Sequence, residues 1–230
     1  MENHTTKISP LIYARVAGFL YLIIIVFGIF SEVFIRSSLI VAGDATATAA
    51  NILDSEGLFR FGFFADILML LSDVAIAVLF YVLLKPVSKT LALIAAAFRL
   101  TQAAILGFNL LNYYAALLLL NGVEYATAFT PDQLNVLAML LLDMHSHGYD
   151  LGLIFFGLSS LILGYLVIKS DYFPIILGYG LIAAALVYLT GSFTRFLFPD
   201  YISFIEPIYI VPLIAEVSFC LWLLVKGVRV

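Results

Sequence analysis

The sequence predicts an all-α polytopic membrane protein: six transmembrane helices, both termini cytoplasmic, and a short extracytoplasmic amphipathic helix ahead of the fourth span. Three observations predict it. Of 230 residues, 64% are hydrophobic and only 11% charged, with a mean hydropathy of +1.13, whereas a soluble domain carries roughly 25% charged residues. Six apolar stretches are long enough to cross about 30 Å of hydrocarbon at 1.5 Å per residue. The basic residues also alternate between the two sides as six crossings require. These numbers exclude a water-soluble globule and a disordered chain. The single cysteine, Cys220, excludes a disulfide framework and a CxxC metal site. A net charge of -4 without a Lys/Arg cluster excludes a nucleic-acid face.

The spans run roughly 12–35, 59–84, 90–120, 148–168, 174–195 and 208–225, within one bundle domain covering residues 1–230. Each must be helical, because an unpaired backbone polar group in lipid costs several kcal/mol. Seven of the eleven basic residues (Lys7, Arg15, Lys85, Lys89, Lys169, Lys226 and Arg229) fall on one side, which the positive-inside rule makes cytoplasmic. The other side holds Arg36, Arg60 and Arg195 among the acids Asp44, Asp54, Glu56, Glu124, Asp132, Asp200 and Glu206. The first span is read as uncleaved, with the protein in the plasma or inner membrane.

Two connecting segments carry structure of their own. Thr130-Pro131-Asp132-Gln133 is a capping box, with Thr as N-cap, Pro at the first helical position and Gln at the third. Leu134, Leu137, Ala138, Leu141 and Leu142 follow at helical spacing. One helix from 131 to 168 would be about 57 Å long, so an interfacial helix over 131–144 and a bend at Ser146-His147-Gly148 are expected. The Ala/Thr-rich loop 37–57 suits another short helix. In the sixth span Pro212 removes the bond to the Ile208 carbonyl, which predicts a kink one turn before Glu216.

Ionisable side chains inside spans are costly and mark partners or sites. Counted from the cytoplasmic ends, Asp73 lies about 18 Å deep, and Arg99 and Glu216 about 15 Å. With Gln102, one turn from Arg99, they form a midplane set. A second set sits nearer the outside: Glu32, Asp66, Asn109, His147, Asp150 and Arg195. Asp66 and Asp73 are i, i+7; Arg99, Gln102, Asn109 and Tyr113 make one stripe; His147 and Asp150 are i, i+3. The alignment predicts a polar interior bounded by the second, third, fourth and sixth spans. Either Asp73–Arg99 or Arg99–Glu216 would be the ion pair.

Local patterns also line up with a known family. They are Arg15-Val16-Ala17-Gly18-Phe19-Leu20-Tyr21-Leu22, Asn51-Ile52 with Phe59-Arg60, and Phe98-Arg99-Leu100. A longer block begins at Asp143-Met144-His145 and runs through Gly152-Leu153-Ile154-Phe155-Phe156-Gly157 and Leu163-Gly164-Tyr165-Leu166. It continues with Lys169-Ser170, Pro174, Leu177-Gly178 and Tyr188-Leu189. The chain resembles the bacterial membrane family catalogued as domain of unknown function 4386, over nearly its whole length. The resemblance implies a small six-helix membrane protein and no particular activity.

Three functional readings follow. The first is binding or transport of a small polar molecule, an ion or a proton through a cavity open to the outside. The second is a metal-dependent intramembrane hydrolase. His145 and His147 with Asp143 and Asp150 would hold a divalent metal, although no HExxH is present. The third is a non-catalytic membrane partner or sensor subunit, which predicts a fully paired interior. No organic cofactor and no nucleic acid are expected; the lipid bilayer is the one certain surrounding. No GxSxG occurs. Gly157, Ser160 and Gly164, with Gly178, suit close helix packing, within one chain or across a homo-oligomer.

Overall fold

The computed structural model describes residues 9–122 and 127–229; Lys7 and Glu124 fall outside the described residues. The chain is helical, with six helices long and apolar enough to span a membrane. Helix α1 is Pro10–Leu39, α2 Ala45–Asp54, α3 Glu56–Leu84, α4 Lys89–Leu120, α5 Pro131–Lys169, α6 Ile175–Leu197 and α7 Ile210–Val225. Large apolar side chains point outward, Phe108 and Ile176 being 76% and 70% exposed. In water such a surface would drive aggregation; against hydrocarbon it is the expected exterior. The protein is a multi-pass membrane protein.

Four local features decide the helix boundaries. The capping box forms as expected: the Thr130 amide donates to Gln133 Oε1 at 2.9 Å and the Gln133 amide to Thr130 Oγ1 at 3.3 Å. The expected bend at Ser146-His147-Gly148 does not occur, and α5 runs unbroken for 39 residues. Gly148 is instead where the Asn109 side chain lies against the helix, in space a Cβ would fill. The helix in the Ala/Thr-rich loop is present as α2, capped by the Asp44 side chain accepting from the Ala47 amide at 2.9 Å. Pro212 does not kink a helix interior either. The chain from Pro199 to Tyr209 winds through short turns, and α7 starts only at Ile210. Pro212 thus sits in a first turn, where its missing N–H costs nothing.

Contacts group the chain into two compact units. The first comprises Met1–Leu22, Asp73–Leu100 and Ile154–Val230, and the second Ile23–Ser72 and Thr101–Leu153. In the first, α6 packs along α7 and Phe219 gathers the rings of Tyr21, Phe80 and Phe173 at centroid distances of 6.2, 5.7 and 5.6 Å. In the second, Phe59 stacks on Tyr113 at 3.9 Å, amid buried Ile35, Leu39, Ile52, Leu110, Leu117 and Leu142.

The small-residue pattern is used inside the chain. A Cβ on Gly164 would stand 2.8 Å from the Gly178 carbonyl oxygen, and one on Gly178 2.6 Å from that of Gly164. The obstacle is backbone on both sides, so it cannot move aside. Gly178→Val is therefore expected to cost about 1–3 kcal/mol as an overpacking change. It should lower the thermal midpoint in detergent well below that of Gly57→Ala, where nothing lies within 4 Å of a new Cβ.

Candidate functional site

Arg99 is the largest fully buried side chain, 1% exposed. Helix α4 brings it opposite Asp73 on α3, and its Nη2 and Nε donate to Asp73 Oδ1 at 2.6 and 2.9 Å. Of the two pairings the sequence allowed, this is the one that forms. Among the described residues no ion pair joins Arg99 to Glu216. The guanidinium carbon lies 4.9 Å from the Phe156 ring centroid, 5.6 Å from Tyr21 and 6.0 Å from Phe80. Three ring faces thus replace part of its lost hydration. Both hydrogen bonds to Asp73 go to one carboxylate oxygen, and Arg99 Nη1 is buried with no hydrogen-bond partner among the described residues.

Glu216 is the other buried acid of this unit, and its Oε1 accepts from the Tyr188 hydroxyl at 2.7 Å. Tyr188 is held by edge contacts with Phe156 and Tyr209, at 5.3 and 5.9 Å. Phe156 therefore touches both the Arg99 and the Tyr188 environments. A narrow cleft leads to Arg99 between α3, α4 and α5, past Phe80, Leu84, Ala92, Ala95, Ser159 and Leu166. It is wide enough for about one water molecule. It runs alongside the residues leading to the Lys85–Ser88 turn, the end that carries the lysines. Three alanines of α4, Ala92, Ala95 and Ala96, leave this space. The Ser159 hydroxyl on its wall is engaged, donating to the Ala95 carbonyl at 2.8 Å.

The second unit builds a separate charged cluster. Residues Phe30–Arg36 of α1 wind as π-helix, a form that recurs at functional positions. Arg36 donates from Nε to Glu32 Oε2 at 2.7 Å and from Nη1 to Asp66 Oδ2 at 2.8 Å. Ser31 Oγ, 3.4 Å from Nη1, in turn donates to the Gly62 carbonyl. Asp66 Oδ1 is buried without a hydrogen-bond partner among the described residues. Asn109 donates from Nδ2 to the His145 carbonyl at 2.7 Å. His145 Nδ1 lies 3.3 Å from both the Asn109 amide nitrogen and its backbone oxygen.

The candidate residues thus separate. Asp73, Arg99 and Glu216 belong to the first unit, as does half-buried Arg195; buried Gln102 belongs to the second. Glu32 and Asp66 meet on Arg36, and Asn109 meets His145. Asp150 is buried, whereas His147 is exposed and bonds back to the Asp143 carbonyl of its own helix. Among the described residues no three His, Cys, Asp or Glu side chains converge to hold a metal. Sequence reasoning missed Arg36, which reads only as a loop charge, and the aromatic partners Tyr21, Phe80, Phe156 and Tyr188. The i, i+4 spacing of Glu32 and Arg36 is the available signal for the first. Nothing in the sequence distinguishes four aromatics that serve a charge from the many that pack.

Unequal burial around Arg36 gives a test. Its Glu32 partner has a side chain 69% exposed, its Asp66 partner one 4% exposed. Glu32→Gln should cost no more than about 1 kcal/mol, as for surface pairs. Arg36→Met leaves Asp66 buried and uncompensated, and should cost about 3–5 kcal/mol. Denaturant unfolding of the two variants in one detergent checks the order.

A relative from Archaeoglobus fulgidus, an uncharacterised protein, is 32% identical over 160 residues, covering 70% of this chain and 80% of its own. No solved structure matches the chain. The family model described as "Domain of unknown function (DUF4386)" matches residues 16–227. Spanning every residue that builds both charged clusters, this match places the chain in the DUF4386 family.

Proposed function

We propose that the protein binds a small polar molecule inside the membrane at the Arg99–Asp73 centre, with Glu216 and Tyr188 as the second polar element, and that this binding serves transport across the plasma membrane. The observation that carries the reading is Arg99 Nη1, a buried donor without a partner among the described residues, at the end of a cleft. A buried guanidinium held only for architecture would be expected to use all its donors, because each one left unmade costs free energy. The donor calls for an oxygen acceptor. Glu216 supplies the complementary acceptor for a donor or positive end of the same molecule. Cytoplasmic termini, from the lysine distribution, would put the cleft on the cytoplasmic side rather than outside.

The competing reading is a non-catalytic membrane subunit in which these groups only order the helices. Its support is that Arg99 already has a carboxylate and three rings around it. The two readings part on one experiment. Replacing a buried pair with apolar residues of similar volume is often neutral or stabilising, whereas removing one partner costs about 3–5 kcal/mol. The double variant Asp73→Leu/Arg99→Met should therefore fold near wild-type stability, while Asp73→Leu alone should not.

A thermal-shift screen of small polar solutes and cations on the purified protein should yield a stabilising compound. That stabilisation should vanish in the folded double variant and in Glu216→Gln. A screen in which the double variant responds as wild type does would place the ligand elsewhere. A folded protein stabilised by no solute favours the subunit reading.

A further inference from the structure

We propose that the first unit carries a lipid site: a cleft at its lysine-rich end that binds the phosphodiester group of an acidic phospholipid through Lys169 and Ser88. The cleft has a volume of about 570 Å³ and is formed where α3 turns into α4 and α5 into α6. Its lining combines Ser88, Lys169, Ser170, Asp171, Tyr165 and Tyr172. Both connections join spans, so the cleft lies at the level of lipid headgroups. A concave polar surface at that depth meets headgroups at a far higher local concentration than any solute.

Charge selects among lipids. Exposed Lys85, Lys89 and Lys169 flank or line the cleft against one acid, Asp171. Basic pockets between transmembrane helices suit anionic headgroups. A zwitterionic headgroup brings its own cation and gains less there. Lys169 is well placed to meet a phosphodiester, because its Nζ lies 5.9 Å from the centroid of the Tyr165 ring, an exposed ring on the same helix. The aromatic face keeps the ammonium at the mouth without consuming its hydrogens. Ser88 accepts a long bond from the Leu91 amide, 3.4 Å, which leaves the hydroxyl hydrogen to donate. The Ser170 hydroxyl is committed to the Val167 carbonyl at 2.9 Å, so it is a wall rather than a ligand. Val87, Leu91 and Tyr172 supply apolar surface for the glycerol and the first methylenes of a lipid. That surface would be wasted on free phosphate. The site is independent of whatever binds at Arg99.

The test is native mass spectrometry of the full chain released from neutral detergent, with phosphatidylglycerol, phosphatidylcholine or inorganic phosphate added. Phosphatidylglycerol should be retained in preference to phosphatidylcholine. Lys169→Gln should weaken retention about fivefold, the effect of one lysine at an anionic surface. Ser88→Ala should weaken it further. Lys226→Gln removes a charge outside the cleft lining and should change nothing. Lys169→Arg keeps the charge and should keep the lipid, which preserves the test if Lys169→Gln fails to fold. Equal loss in Lys226→Gln, equal retention of phosphatidylcholine, or displacement of the lipid by millimolar phosphate would each overturn the proposal.

Discussion

A guanidinium surrounded by hydrocarbon is the constraint on which the first unit depends. At the centre of a transmembrane helix an arginine costs about 2.5–3.5 kcal/mol on insertion scales, and the structure shows how Arg99 is accommodated. Asp73 neutralises it within hydrogen-bond distance. Phe156, Tyr21 and Phe80 turn their faces toward it. The same three rings belong to the aromatic packing around Phe219 and Tyr188. Charge accommodation and core packing in this unit are thus one set of contacts, and a change that loosens the rings also uncovers the charge.

The second unit meets the same problem with different means. Arg36 divides its donors between a buried and an exposed carboxylate. Its π-helical segment widens the turn, and the amide of Ser37 closes on the Glu32 carbonyl five residues back. The aromatic pair of this unit, Phe59 and Tyr113, serves the backbone: the Tyr113 hydroxyl donates to the Phe59 carbonyl at 3.1 Å. Gly62 makes room for that hydroxyl, since a Cβ there would stand 2.9 Å from it.

What the sequence made legible follows what hydrocarbon enforces. Spans, the capping box at Thr130 and the helix after Asp44 rest on length, hydropathy and local hydrogen bonding, and each is present. Depth counting narrows the partner of Arg99 to two acids, Asp73 or Glu216, and Asp73 is the one it meets. The places where sequence and structure differ all turn on neighbours. Gly148 reads as a hinge, yet it is an entry for Asn109, and nothing local in Ser146-His147-Gly148 distinguishes the two. Pro212 reads as a kink because the apolar run begins before it. The start of α7 at Ile210 is set by the turns from Pro199 to Tyr209, which end just before it. Depth counting puts Glu216 with Arg99 but cannot show that a tyrosine hydroxyl reaches it first.

The atoms left over after pairing say more about chemistry than the pairs do. On the two charged clusters the unmatched buried atoms are opposite in kind: a donor in the first unit, Arg99 Nη1, and an acceptor in the second, Asp66 Oδ1. Each belongs to a group with more hydrogen-bonding capacity than its ion pair uses. Arg99 directs both its bonds to one oxygen, and Asp66 offers Arg36 only one of its two. Bonding through both oxygens would have satisfied Asp66, whereas Arg99 meets Asp73 with its Nε–Nη2 edge, so Nη1 faces away from that carboxylate. One polarity is thus left at each cluster for whatever enters. An acceptor-bearing molecule would therefore gain at Arg99 what a cation or donor would gain at Asp66, so ligand sign separates the two clusters.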